Sequence, residues 1–455
     1  MAILVPLLVL LVADLCDGAS TLTQGAPRVA ECVIKIIGAR QVVSAASVRA
    51  TSEGPTVREP ETSEPSIATI ACSPGSDGLL PSLVGGQGLA GFRANFTGVN
   101  YDTDESLPGP VLKLTGQKLI IRDSLFSNLV NLAAASLIVI SCDLVTRNTT
   151  FFSNSQAASG ALFLNNSAVT VYDSLFDSNR GYQAGGITAV GSTSLLVNFT
   201  VFRHNNGSQG GAIGMSPQGQ LNTEARLQVV DSLFLDNAAV NGAGVFIQRA
   251  KQADMANSTF SGNSASQNGA AVFQEDTPGS LTFCLLSNNR AQTGGAGYYN
   301  RCLGMRWSSN LFRNNSANSG GAGLELNQCT GDVDHCSFHQ NQGEKGGGIF
   351  MDQCASSVLN CTFTSNAATL LGGALYRSYS PSRSDIRGCS FTNNSAGQFG
   401  GAVYEQKIDS GSIEGCRFSG NTAKSGPSLC TRLSATDVAG DNISLDPADI
   451  EYMDH

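Results

Sequence analysis

The chain has 455 residues, 14% of them charged, with 51 glycines and a formal net charge of -9. With only 27 Lys and Arg and no basic run, nucleic acid and anionic lipid are poor partners. Thirteen cysteines make the redox compartment an early question.

From the start, Ile3 to Val12 is a short apolar run followed by small residues up to Ala19. This is the pattern of a secretory leader over residues 1–19. The run is too short to span a bilayer and no second span follows, so no transmembrane anchor is expected. Loss of Cys16 with the leader leaves twelve cysteines, an even number suited to an oxidising compartment. Residues 20–78 read as an N-terminal cap with an acidic, proline-rich loop from Thr51 to Pro65.

A repeat then takes over. Phe or Leu stands three positions before asparagine in twelve copies, from Leu125/Asn128 through Phe312/Asn315 and Phe338/Asn341 to Phe418/Asn421, mostly 25 to 28 residues apart. A double glycine follows in most copies, as at Gly346-Gly347 and Gly400-Gly401. A fixed period of this length marks a solenoid. Short apolar runs alternate with Asn, Ser and Gly and no helical stripe intervenes, which predicts an all-β parallel β-helix of about twelve or more coils over residues 79–427. Residues 428–455 read as a C-terminal cap or tail. In such a coil the aromatic column stacks inward, the asparagine amides form a ladder, and the glycines supply turns with positive φ.

The cysteines follow the period. Cys284, Cys336, Cys361, Cys389 and Cys416 lie five residues before an asparagine, and Cys142, Cys302, Cys329 and Cys354 lie twelve or thirteen before it. Residues stacked one coil apart fall within the Cα separation of a disulfide, which makes Cys389–Cys416 the leading pair. Cys329/Cys336 and Cys354/Cys361, each within one coil, are competing pairs. Spacings of seven lack Cys-x-x-Cys knuckles, so no metal is expected. Ten N-glycosylation sequons occur, at Asn95, Asn148, Asn165, Asn198, Asn206, Asn257, Asn314, Asn360, Asn393 and Asn442.

Phe202-Arg-His-Asn205 with Gly210-Gly-Ala-Ile213, and Phe391-Thr-Asn-Asn394 with Gly400-Gly-Ala-Val403, resemble the repeats of chlamydial polymorphic outer membrane proteins. The resemblance covers about residues 123–427. It implies a right-handed, pectin-lyase-like parallel β-helix acting as a surface adhesin, the passenger of an autotransporter. The sequence departs from that family after Asn421, where 34 residues are too few for the membrane barrel in which such passengers end. The expectation is therefore a passenger-like repeat without its barrel.

Enzymes of this fold carry acidic groups on neighbouring coils of one groove, and glycoside hydrolysis uses two carboxyls about 5 to 10 Å apart. Counting four residues from the second glycine puts Glu325, Met351, Arg377 and Glu405 in one column. Glu325, Arg377 and Glu405 are thus the catalytic candidates of a polysaccharide lyase or glycoside hydrolase. As a solvent-facing ion-pair ladder, the same column has little energetic value. No phosphate-binding loop or nucleophile arrangement is present, so no cofactor is expected. Longer turns at Met215 to Arg226 and Arg377 to Gly388 share one phase of the coil, where loops carry specific contacts. The reading is a secreted or surface-attached glycoprotein scaffold, adhesin-like and non-enzymatic, that binds an extracellular glycan or surface protein. A β-helix polysaccharide enzyme and a structural wall or matrix protein are the alternatives.

Overall fold

A computed structural model describes residues 118–455 apart from 129–134, 157, 218–223, 381–383, 439–441, 443–446 and 454–455. Before them it describes the backbone of Leu11–Asp14, Cys32–Lys35, Gly91–Phe92, Asn95–Thr97 and Leu112–Thr115. Most of the leader, the stretch from Thr51 to Pro65 and the Asn95 side chain lie outside the described residues. Leu11–Asp14 pairs antiparallel with Cys32–Lys35, and every other described strand pair is parallel. Among the described residues no helix is long and apolar enough to cross a membrane.

One coil runs through four short strands: Ser337–His339 in a first sheet, Gln342–Lys345 in a short sheet, Ile349–Asp352 in a second and Val358–Leu359 in a third. The next coil begins with Thr362–Thr364, beside Ser337–His339. The chain divides into two compact units, residues 1–208 and 209–455. In the first, Asn95–Thr97, Leu125–Ser127, Thr150–Phe152, Leu175–Asp177 and Val201–Arg203 stack in order in the first sheet. In the second, the corresponding strands stack in order from Leu233–Leu235 to Arg417–Ser419.

The period of two along each strand turns one residue of three inward, and in the first sheet that residue is phenylalanine, or leucine at Leu286. In the second unit Phe312, Phe338, Phe363 and Phe391 are all fully buried. Their rings stack with centroids 4.6 to 4.9 Å apart, close to the spacing of neighbouring strands. The first copy of the repeat is offset by one residue from its sequence reading. Phe126, not Leu125, pairs with Phe151, so Leu125 faces outward and Asn128 is an exposed residue with φ 55°.

From Asn154 onward the asparagines form the expected ladder, seen most fully in the second unit. Asn341 Nδ2 donates to Asn366 Oδ1 at 3.0 Å and to Phe312 O at 3.0 Å. Its Oδ1 accepts from Asn315 N at 3.0 Å and Asn315 Nδ2 at 2.9 Å. Both amide protons and both oxygen lone pairs are thereby used.

At many corners a residue in the left-handed region precedes an inward hydrogen-bonding residue: Asn314 (φ 53°) before Asn315, His335 (φ 51°) before Cys336, and Gln328 (φ 54°) before Cys329. That conformation costs an L-residue roughly 1–2 kcal/mol, least for Asn, Asp and Gly, which explains much of the Asn and Gly content of the repeat.

Candidate functional site

The structure separates the three sequence candidates. Met351, Arg377 and Glu405 are register partners as expected. Glu325, however, pairs with Phe350, while Leu326 pairs with Met351. Its coil has one extra residue between the turn glycine Gly320 and the strand starting at Leu324, against Gly346 and Ile349 in the next coil. A one-residue shift carries a side chain to the opposite face of a sheet. Glu325 therefore lies on the outward face, covered there to 7% exposure, and does not share a column with Arg377 and Glu405.

Arg377 and Glu405 are not a solvent-facing ladder. They replace the apolar residues of the inward column and are 3% and 0% exposed. Arg377 Nε donates to Glu405 Oε1 at 2.6 Å, and Nη2 lies against the same oxygen. Arg377 Nη1 donates to Ser384 O and Oγ at 2.8 and 3.0 Å, and Thr436 Oγ1 donates to Glu405 Oε2 at 2.6 Å. A pair so enclosed works as a core element rather than as a site open to substrate. The longer turn anchored by Ser384 lies between second- and third-sheet strands, as does the turn after Met215.

Glu325 interrupts an outward aromatic column between Tyr298 and Phe350. Its Oε2 accepts from Gly294 N at 3.0 Å and Gly321 N at 3.2 Å. Burial pushes the carboxyl from its ordinary 4.5 up to about 7, against the opposing pull of these hydrogen bonds. Because the folded value is the higher one, the fold holds a proton that the unfolded chain releases. This contribution to stability is therefore full below about pH 4.5 and is lost as pH rises through 7. Between those limits the chain is expected to lose on the order of 2–3 kcal/mol. Urea titrations over that range should show the slope, and Glu325→Gln, which keeps an acceptor for both glycine amides, should flatten it.

The cysteines occupy two inward corner columns. Cys302, Cys329 and Cys354 form one and Cys336, Cys361, Cys389 and Cys416 part of the other, all of them buried. Cys361 Sγ donates to Leu359 O and Val333 O. Thr149, earlier in the chain, makes the equivalent bonds to Arg147 O and Ile121 O. A thiol thus fills a hydroxyl position. Cys329 and Cys336 stand at successive corners with Val333–Asp334 between them, as do Cys354 and Cys361 around Val358–Leu359. Cys389 lies beside Cys361 along its column, while Cys329/Cys336 and Cys354/Cys361 each span two different corners.

Among the sequons, Asn148, Asn257, Asn314, Asn360 and Asn393 are exposed left-handed corner residues. Asn206 is exposed, and Asn165 and Asn198 are half-buried. Asn442 differs, because its Oδ1 accepts from Cys416 N and its Nδ2 donates to Ile413 O, both at 2.9 Å.

A concave feature that the sequence reading missed lies in the second unit. Asn314 and Ser316 on one coil, Gln340 and Gln342 on the next and Ser365 on the third line a hollow of about 420 Å³ over the ladder residue Asn315. Those five side chains make no hydrogen bond to another described residue. Each is ordinary for its corner or strand, so only stacking shows that they converge.

The family described as "Right handed beta helix region" matches residues 111–283 and 220–376, together more than half of the chain. The chain belongs to the right-handed β-helix family. Within this β-helix, residues 388–404 also match the Chlamydia polymorphic membrane protein repeat, on a copy that holds Phe391, Asn394 and Gly400-Gly401. The resemblance to that repeat region therefore stands. It points to an outer-membrane or cell-surface chain of the autotransporter-passenger kind. No curated protein and no solved structure matches this β-helix.

Proposed function

We propose that this chain is a surface-exposed binding scaffold, adhesin-like and non-enzymatic, whose partner is an extracellular glycan or surface protein held by the outer faces of the coils. The observation that supports this reading is the division of labour across each strand. Inward groups are taken up by the chain's own ladders, whereas outward groups of the first sheet and its corners repeat hydroxyls and amides from coil to coil. Thr362 Oγ1 donates to Ser337 Oγ at 2.9 Å and Ser287 Oγ to Ser261 Oγ at 3.1 Å, and the amide- and hydroxyl-lined hollow lies on the same polar exterior. A stiff array of this kind gains avidity from many weak contacts.

The test is retention of the purified chain on immobilised neutral and acidic polysaccharides and on cell-surface protein, with soluble products followed by mass. Retention without new products is the expected result. Shortened or unsaturated saccharide products would overturn the reading in favour of an enzyme, and the absence of any retention would leave a structural matrix role.

A further inference from the structure

We infer that the hollow formed by Asn314, Ser316, Gln340, Gln342 and Ser365 is a recognition site for a neutral glycan, an assignment that rests on the binding-scaffold reading and names its ligand class.

The first argument is hydrogen-bonding capacity. Some exposed amides elsewhere on neighbouring coils pair with one another or with a carboxylate, although among the described residues Asn288 and Asn393 at the same corner do not. Asn318 Nδ2 donates to Gln292 Oε1 at 2.9 Å, Gln328 Nε2 to Gln353 Oε1 at 3.2 Å and Asn360 Nδ2 to Asp334 Oδ1 at 3.1 Å. Asn314 and Gln340 are also one coil apart, yet neither side chain has a partner among the described residues. The same holds for Ser316, Gln342 and Ser365. Five side chains with all their hydrogen-bonding groups available therefore face one concavity, and its volume lies in the range of small-molecule sites.

The second argument is chemical type. The lining contains no Lys, Arg, Asp or Glu. A uronate, sulfate or phosphate entering it would lose water without gaining a counter-charge from the lining residues themselves. An apolar peptide side chain would find no apolar wall. A sugar hydroxyl both donates and accepts, as do carboxamides and serine hydroxyls, so a neutral saccharide matches the lining group for group.

The third argument is preorganisation. Asn314, Gln340 and Ser365 are held at φ 53°, 55° and 56°. Beneath them, Asn315 is fixed by the asparagine ladder. The site repeats its amides and hydroxyls at strand spacing, ~4.8 Å, so consecutive sugar residues can be met by consecutive coils.

Asn314 also begins the sequon Asn314-Asn315-Ser316. A glycan attached there would fill the hollow, so the inference includes an unmodified Asn314.

The experiment uses the full purified chain with soluble neutral gluco-, manno- and N-acetylglucosamine oligosaccharides, polygalacturonate as the acidic comparator, and peptide mass mapping of Asn314. Binding of at least one neutral series is expected, with Gln340→Ala/Gln342→Ala weakening it on the order of tenfold or more. The thermal midpoint should be unchanged, and Gln292→Ala, outside the hollow, should bind as the unaltered chain does. Equal binding by the double variant would overturn the site while leaving the scaffold reading intact. Preference for polygalacturonate would overturn the ligand class, and a glycan on Asn314 would overturn the inference directly. Retention on surface protein with no saccharide bound would sink the inference but keep the scaffold.

Discussion

Replacing Asn341 by leucine is expected to destabilise the second unit by about 4 kcal/mol or more, among the largest effects of any single change in the chain. The substitution removes the acceptor of Asn315 N and Asn315 Nδ2, and the donor to Phe312 O and Asn366 Oδ1. Asn315 and Asn366 are 1% and 0% exposed, so water does not replace what is lost. Each buried polar group left without a partner costs about 1–3 kcal/mol, and the apolar gain from leucine offsets only part of the total. Denaturant unfolding measures the loss. Amide exchange should show it centred on the coils of Asn315 and Asn366, because coupling in a solenoid runs between neighbours. A change below about 1 kcal/mol would mean that the ladder is ornamental to stability.

Arg377→Met is expected to cost about 3–5 kcal/mol, because it strands the Glu405 carboxylate inside the core. Glu405→Leu should be similarly damaging through Arg377. The double variant Arg377→Met/Glu405→Leu should recover most of the loss, since it restores the apolar type that Met351 and Leu326 occupy in the same column. A double-mutant cycle with chemical denaturation measures this coupling. Additive losses would refute the view that the two residues matter chiefly as each other's partner. Saccharide binding by the folded double variant should be unaltered, since neither group reaches the outer surface.

The architecture was legible because its determinants recur: Phe338 and Asn341 have the same neighbours one coil away, so period alone exposes their role. Legibility failed where one residue was added or the residue type changed. Counting from the glycines puts Glu325 in the Arg377 column, but the extra residue after Gly320 carries it to the opposite face. Leu125 and Asn128 fit the motif by type, but backbone register selects Phe126. In the sequence the corner column containing Cys336 and Cys361 stands out as a cysteine pattern. Its physical requirement is a small side-chain hydrogen-bonding group, which Thr149 meets with a hydroxyl and Asn442 with an amide. The hollow depends on Asn314, Gln340 and Ser365, which stand 26 and 25 residues apart in the sequence and meet only once the chain has coiled.

The asparagine ladder also has a direction. From Asn237 to Asn394, every rung donates its backbone N–H and one Nδ2 proton to the Oδ1 of the next, never the reverse. The amide dipoles of the second unit are therefore aligned head to tail, and each polarises its neighbours, so bonds in such a chain strengthen one another. An interior rung such as Asn341 is polarised from both sides, whereas Asn421, 9% exposed, receives that reinforcement from one. The same substitution should thus weaken the column more in its middle than at its end, and the column behaves as a single polar filament.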